Sequence, residues 1–330
     1  MDVLPVAITF DFLTSISFWT SVGVLAATYA LVALGLQLNV GFTGVLNFGA
    51  AGFMAVGAYT MAILTIDTDI SFWLTLPVAI LVTMAFGVIV GLPALRLRAD
   101  YLAIVTIAFA EIIRLIAQNA RELTGGNQGL FCSDDQSACY DDTWLDVSDR
   151  VEGWLMDLGW SDPEILFPLL LVSWALVLIT TVSLLFVQKS PWGRVLRAVR
   201  EDEDAARALG KNAFAYKLQS LAISAAISAM AGWILALNLA TIHPIDFEPL
   251  VTFFAYGVLV LGGLASYWGV LVGSVIFWTL LEATRFIDVL EDESDQVALR
   301  FAIVGLVLIL LMAFRPQGIF GKREEMVLGE

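Results

Sequence analysis

Two opposite charges inside an apolar stretch are the side chains whose types and spacing are best suited to chemistry. Glu111 and Arg114 lie three residues apart in the segment 101–118, YLAIVTIAFAEIIRLIAQ, so a helix places both on one face. Charges at membrane depth are costly unless they pair with each other or face a cavity. The pair therefore predicts either the polar wall of a translocation path, where it can meet a zwitterionic substrate, or an ion pair that locks helices near the outer interface.

A second candidate is the glycine-rich stretch 39–53, NVGFTGVLNFGAAGF. Glycine lets a helix break, and a broken helix at membrane depth can offer backbone groups and an amide to a carboxylate or an ammonium group. The residues that would line such a site are Thr43, Gly44, Asn47 and Gly49. Small-residue packing between helices explains the same glycine spacing equally well, and both interpretations stay open.

Catalytic and metal-binding chemistry have little support in the sequence. His243 is the sole histidine, and no pattern of acids, bases or metal ligands accompanies it. A P-loop is absent as well, because Gly210-Lys211 and Gly321-Lys322 both lack the upstream glycine and the following hydroxyl. The chain is therefore expected to perform no covalent chemistry and to bind no cofactor, so its energy source must be another subunit or an ion gradient.

The elements that must position these residues are membrane-spanning helices. Hydrophobic residues make up 59% of the chain, and the mean hydropathy of +0.85 is far above the soluble balance. A helix needs ~20 apolar residues to cross the bilayer. The predicted spans are 16–38, 48–66, 70–95, 101–118, 165–187, 218–240 and 297–314. With a helix pair in 250–281, the predicted fold class is all-α, a polytopic transmembrane helical bundle of about eight spans forming one domain over residues 1–330.

The stretch 250–281 carries no charge, and acidic residues flank it at both ends. Both flanks are placed on the same side of the membrane by the charge distribution, and two full spans would need ~40 residues. We therefore expect two short helices or a re-entrant pair that turns near residues 262–266, covered there by protein. The alternative is two short spans in a locally thinned bilayer.

The polar segment 188–217 carries seven of the 17 basic residues and lies between two charge-free runs. Short basic loops of membrane proteins lie on the cytoplasmic side. Placing this loop, Arg96, Arg98 and the C-terminal tail inside leaves most of the acids outside, including the acidic loop 119–164. This orientation predicts an external N-terminus and a cytoplasmic C-terminus.

A short amphipathic helix is predicted within the basic loop. Its apolar face, within ~80° on a helical wheel, consists of Val195, Val199, Ala206 and Leu209. Asp202 interrupts that face, and Gly210 has the position expected just beyond a helix end. Such a helix can insert into a groove of a cytoplasmic partner; the alternative is a loop held at anionic lipid headgroups. The basic residues that would tune the contacts are Arg194, Arg197 and Arg200.

Five stretches, taken in order, resemble the LivM-type permease subunit of branched-chain amino-acid ABC importers. They are GLQLNVGFTGVLNFGAAGFMAVGAY (35–59), LRLRADYLAIVTIAFAEIIRLIAQNARELTGGNQGL (95–130), SPWGRVLRAVREDEDAARALGKNAFAYK (190–217), VLGGLASYWGVLVG (260–273) and FRPQGI (314–319). In the third stretch, Asp204-Ala205-Ala206 is followed after three residues by Gly210, which resembles the EAA-x3-G loop of permeases that dock onto ATPases.

The resemblance implies a permease subunit of an ATP-driven importer for branched-chain or similar hydrophobic amino acids. Its partners would be a second, LivH-type permease, an external substrate-binding protein and two cytoplasmic P-loop ATPases, which would bind the ATP and Mg. Ala50 stands where the family often carries histidine, so urea or short amides remain alternative substrates. The competing class is an ion-coupled secondary transporter with Glu111 as a proton or ion relay. The basic loop 188–217, here also called the docking loop, argues against this class.

The charge distribution bears on partners and on the source of the protein. A net charge of −15 argues against nucleic acid as a partner. The external excess of acid, with lysine scarce, suits high salt, where screening suppresses repulsion among carboxylates. We therefore expect the plasma membrane of a halophilic prokaryote. Cys132 and Cys139 lie in the external acidic loop, where the compartment allows a disulfide.

Overall fold

The computed structural model describes residues 15–68, 70–131, 142–159, 166–239, 241–264, 266–284, 293–315 and 317–321. Within these ranges the chain is almost entirely helical. The one pairing of strands that the described part contains joins β1, Leu130–Phe131, to β2, Thr241–Ile242, in antiparallel register. The predicted all-α class is confirmed.

The helices, numbered in chain order, are α1 Ile16–Leu36, α2 Ala50–Asp67, α3 Phe72–Ala94, α4 Ala99–Asn119, α5 Arg121–Thr124, α6 Asp142–Asp157, α7 Phe167–Lys189, α8 Pro191–Glu201, α9 Glu203–Ala208, α10 Ala213–Leu239, α11 Pro249–Gly262, α12 Tyr267–Ala283 and α13 Glu293–Phe314. A π-helical segment, Gln37–Thr43, continues α1, and short 3-10 turns cover Gly126–Gln128 and Pro244–Phe247.

Six of the described helices are long and apolar enough to cross a membrane, and the α11–α12 pair raises the number to seven if it counts as one span. The six are α1 with its π-helical extension, α2, α3, α4, α7 and α10. The chain is thus a multi-pass membrane protein. α13 covers the predicted span 297–314. α10 begins earlier than predicted, at Ala213, because the Asn212 side chain accepts a hydrogen bond from Ala215 N–H (3.1 Å).

Helices α1 and α10 form the centre of the bundle, and nearly all of both is buried. Helices gain little from hydrophobic association inside a membrane, so close packing of small residues holds them together. Where α2 crosses α10, a Cβ added to Gly57 would lie 2.6 Å from Ala229 Cα, which no side chain tolerates. Gly232 of α10 approaches the backbone of Met54 in α2 equally closely. Glycine on both helices therefore sets their separation.

Two short helices occupy the charge-free stretch 250–281, as predicted. α11 and α12 are 14 and 17 residues long and meet at 117°. The last carbonyls of α11 lie beyond the reach of helical N–H groups. Ile319 N–H donates to Leu261 O at 3.0 Å, and Phe320 N–H donates to Gly262 O at 3.1 Å. The segment after α13 therefore covers the turn with protein, as irregular backbone at membrane depth requires.

The acidic loop 119–164 contains a helix, α6, that the hydrophobicity pattern did not predict. Trp144 of α6 is buried against Phe72 at the start of α3, with ring centroids 5.8 Å apart. Leu155 is buried on the same face of the helix. This contact fixes α6 beside the start of α3. The two residues of the predicted disulfide lie outside the described residues: Cys132 and Cys139.

Candidate functional site

The basic loop folds as two helices instead of one. Ser190 Oγ accepts a hydrogen bond from Gly193 N–H (3.2 Å) and caps α8. Asp202 has extended backbone angles, ends α8, and caps α9 by accepting a hydrogen bond from Ala205 N–H (2.9 Å) on Oδ1. The residue that interrupted the predicted apolar face is therefore a helix break, as expected for an aspartate that competes for backbone donors.

This break corrects the predicted apolar face. Val199 and Ala206 are buried together with Ala213, at the base of the loop. Leu209 points away from them, and 81% of its surface is exposed. The predicted apolar face grouped Leu209 with Val199 and Ala206, and this grouping is wrong because the chain breaks at Asp202 and α9 begins there as a separate helix.

The end of α9 presents an exposed surface, which we call the docking surface. It consists of Asp204, Ala205, Ala208, Leu209 and Gly210. Gly210 has φ of 78°, and its N–H donates to Arg207 O (2.9 Å), while Lys211 N–H donates to Ala206 O (3.1 Å). These two bonds form a Schellman cap, which confirms the predicted position of Gly210 beyond the helix end.

The three arginines of α8 face different surroundings. Arg194 is exposed and bonds to Lys189 O within the loop (3.2 Å). Arg197 places its guanidinium 5.3 Å from the centre of the Phe42 ring. Arg200 is half-buried and donates to Gly41 O. Two of the predicted docking residues therefore contact the membrane bundle in this structure.

The glycine-rich stretch contains a break between α1 and α2, which is one of the two interpretations that the sequence left open. The π-helical segment ends at Gly44, which has φ of 70° and can take that value because it lacks a Cβ. Residues 44–49 are not helical, and α2 begins at Ala50. Thr43 lies inside the bundle, where its hydroxyl donates to Asn39 O (2.6 Å) and lies 3.1 Å from Ser220 Oγ of α10.

Asn47 and Gly49 lie in the break and are buried. Gly49 N–H donates to Asn47 Oδ1 (2.9 Å). A Cβ on Gly49 would lie 2.9 Å from Thr106 O of α4. Asn47 Nδ2 has no hydrogen-bond partner among the described residues. Asn47 therefore holds a buried amide donor that the described residues leave without an acceptor, whereas Gly49 serves the close approach of α4.

Three further side chains form hydrogen bonds to the backbone of the break, and the sequence pattern did not single them out. They are Thr106, Thr252 and Tyr256. Phe48 N–H donates to Thr106 Oγ1 (3.0 Å), and Ala51 N–H donates to Thr252 Oγ1 (3.0 Å). The Tyr256 hydroxyl donates to Asn47 O at 2.9 Å. The signal in the sequence that could have identified them is a hydroxyl side chain inside an otherwise apolar helix. Most of the backbone donors at this end of α2 are therefore bonded within the protein.

Glu111 and Arg114 form an ion pair with each other, which is one of the two arrangements that the sequence left open. Arg114 Nε donates to Glu111 Oε2 at 2.9 Å, and Arg114 Nη2 lies 2.5 Å from Glu111 Oε1. The side chains are partly exposed, 18% for Arg114 and 34% for Glu111. A cavity of about 300 Å³ lies beside the pair, lined by Arg114, Gln118, Asn127, His243, Pro244 and Ile245.

The connection between α10 and α11 forms one wall of that cavity. His243 N–H donates to Asp246 Oδ2 (2.8 Å), and the imidazole accepts the Asp246 N–H in return. Burial raises the pKa of the Asp246 carboxyl, and the hydrogen bond from His243 opposes this effect. Phe247 is buried against Tyr59 of α2, with ring centroids 5.9 Å apart.

No group of metal-binding side chains occurs among the described residues.

The candidate residues thus fall into three places joined by named helices. The three places are the basic loop, the break and the ion pair. Gly44 of the break lies next to Arg200 of the basic loop, and α4 connects the break to the ion pair. Thr106 at the break and Glu111 are five positions apart on α4, or ~7.5 Å along its axis.

Residues 19–312 match the family of branched-chain amino acid transport system permease components. The chain is 33% identical over 324 residues to the high-affinity branched-chain amino acid transport system permease protein LivM of Salmonella typhimurium, covering 97% of this chain and 73% of that protein. It is also 33% identical to LivM of Escherichia coli, covering 96% and 73%. It is 26% identical to the permease protein LivH of Salmonella typhimurium, covering 91% and 93%. No solved structure matches the chain.

Proposed function

The chain belongs to the family of branched-chain amino acid transport permeases, and we propose that it is a membrane subunit of an ATP-driven importer. Its cargo is a branched-chain or similar hydrophobic amino acid, as the names of its relatives state for their own systems. The chain lines the translocation path, and ATP hydrolysis belongs to partner subunits. The observation that carries this proposal is the exposed docking surface on a loop whose form resembles the ATPase-binding loop of importers.

The proposed complex contains four further components. A second permease of the LivH type pairs with this chain, consistent with the sequence similarity to LivH. Two cytoplasmic P-loop ATPases bind the docking surfaces and hold the ATP and Mg, and an external substrate-binding protein delivers the cargo. The protein lies in the plasma membrane with its N-terminus external and its C-terminus cytoplasmic, an orientation supported by the basic loop 188–217.

The docking surface has the properties of a protein contact. Leu209 exposes a large apolar side chain at the tip of α9, while Ala205 and Ala208 leave room around it. An exposed apolar side chain amid small residues can fill a pocket of a partner and contribute much of the binding free energy. The Schellman cap at Gly210 holds this tip in one conformation, which lowers the entropy lost on binding.

The proposed path runs between the two polar places in the bundle. At the outer end, the Glu111–Arg114 pair offers one carboxylate and one guanidinium beside the 300 Å³ cavity, which complements a zwitterion. At the inner end, the lining residues are Thr43, Gly44, Asn47 and Gly49. ATP-driven movement of the loop would switch access between the two ends, with each state favoured by different partner contacts.

Leu209→Asp tests the docking surface. We expect solubilised wild-type protein to co-purify with P-loop ATPase subunits that are identified by peptide sequencing. A central apolar contact is worth about 2 kcal/mol or more, so the variant should bind the ATPase roughly thirtyfold more weakly. Leu158→Asp is the matched control, since Leu158 is an exposed leucine next to the external helix α6. Undiminished capture by Leu209→Asp would contradict the docking surface, and absence of ATPase from the wild type would favour ion-coupled transport.

We further propose a halophilic prokaryote as the source. The exposed side chains of α6 include Asp146, Asp149 and Asp157, which repel one another at low ionic strength. The temperature of thermal unfolding should therefore rise as potassium chloride is added. Exchanging Asp146 and Asp149 for lysine should weaken this dependence. Full stability of the wild type in dilute buffer would count against the proposal.

A further inference from the structure

The π-helical segment Gln37–Thr43, here called the π turn, joins the docking loop to the break in the proposed path. π-helical turns are rare, and they are frequently found at functional sites. Asn39 O accepts from Gly44 N–H, from Val45 N–H (3.0 Å) and from the Thr43 hydroxyl (2.6 Å). Three donors thus converge on one carbonyl, which has two lone pairs. At the end of the π turn, Asn39 O therefore accepts more hydrogen bonds than it has lone pairs.

The docking loop holds the π turn from the cytoplasmic side. Arg200 donates to Gly41 O, and its side-chain stem passes Gly44, where an added Cβ would lie 3.4 Å from Arg200 Cγ. Arg197 lies over the Phe42 ring, and Phe42 stacks on Tyr267 of α12 with ring centroids 5.4 Å apart. Any displacement of α8 therefore pulls on the backbone of the π turn.

Helix α10 holds the π turn from inside the bundle. Ser220 Oγ lies 3.0 Å from Asn39 Oδ1 and donates to it. Asn39 is fully buried, and its Nδ2 has no hydrogen-bond partner among the described residues. A buried donor without an acceptor is unfavourable, so an arrangement of the π turn that gives this amide a partner is favoured.

We propose that the π turn is a two-state element and that Arg200 is the positioning residue through which the docking loop selects its state. The inference rests on the proposed function. Returning the π turn to α-helical register moves the chain by one residue and rotates residues 44–49 by ~100° about the helix axis. That rotation changes the directions in which the side chains of the break point, including that of the Asn47 amide. Arg200 stabilises the π state through Gly41 O, so withdrawal of α8 releases it.

The test compares ATPase capture, ATP hydrolysis and leucine uptake in the reconstituted complex. For Arg200→Ala we expect capture and hydrolysis as in the wild type but about tenfold less uptake per ATP, the range of a typical coupling free energy. Arg200→Lys should recover part of the uptake, because an ammonium group can also donate to Gly41 O. The control is Arg96→Ala, an exposed arginine at the cytoplasmic end of α3, which should behave as the wild type.

Two results would overturn the inference. Loss of ATPase capture by Arg200→Ala would make Arg200 a docking residue, and an unchanged ratio of uptake to hydrolysis would remove its positioning role. Should Arg200→Ala fail to fold, Ser220→Ala releases the π turn from the opposite side and is expected to show the same uncoupling; normal coupling there would overturn the inference. If the proposed function itself is wrong, the wild type captures no ATPase, and this result distinguishes that failure from failure of the inference.

Discussion

Gly57→Val is expected to prevent the bundle from forming, because it forces apart α2 and α10, which cross in close contact. A Cβ at position 57 would lie 2.6 Å from Ala229 Cα and 2.7 Å from Ala229 O. Backbone atoms cannot rotate away as a flexible side chain can. Overpacking usually costs about 1–3 kcal/mol, and a clash with rigid backbone belongs at the upper end or beyond. Size-exclusion chromatography after a heating series measures the loss as a lower yield of monodisperse protein.

Gly305→Val in α13 is the matched control for this prediction. The same substitution is made there in another apolar helix, and a Cβ at Gly305 would meet no atom of the described residues within 4 Å. We expect its thermal stability to stay close to that of the wild type. Wild-type stability of Gly57→Val would contradict the close crossing of α2 and α10.

Arg114→Ala is expected to abolish uptake and to lower stability. It removes both hydrogen bonds to Glu111 and leaves a carboxylate in a predicted span without its partner. Because both side chains are partly exposed, the loss of stability should be about 1–3 kcal/mol, below that of a fully buried pair. Uptake in proteoliposomes and the temperature of thermal unfolding measure the two effects separately.

Exchanging the two charges decides between the interpretations of the pair. The double variant Glu111→Arg with Arg114→Glu keeps an i, i+3 ion pair on the same face of α4 but reverses its direction. If the pair meets a zwitterionic substrate, the exchange should restore stability without restoring uptake. Recovery of both would show that the pair only locks the structure, and it would remove Glu111 and Arg114 from the path.

Features that depend on neighbouring residues were predictable from the sequence. Apolar length defined the spans, since each helix must be long enough to satisfy its own backbone across the bilayer. The spacing of Glu111 and Arg114 predicted their pairing, because i and i+3 share a helix face. Gly210 was recognised as a helix end, because glycine adopts the left-handed angles that a Schellman cap requires.

Features that depend on distant residues needed the tertiary structure. Leu209 was misplaced because a helical wheel assumes one axis, whereas Asp202 turns the chain onto a second. The bond from Arg200 to Gly41 joins residues 159 positions apart, and the bond from Ala51 to Thr252 spans 201. The sequence by itself determined which segments are helices in a membrane, because that follows from local polarity and length. Which side chains meet at the break and at the π turn was decided only when the helices packed, since backbone donors there must find partners on other helices.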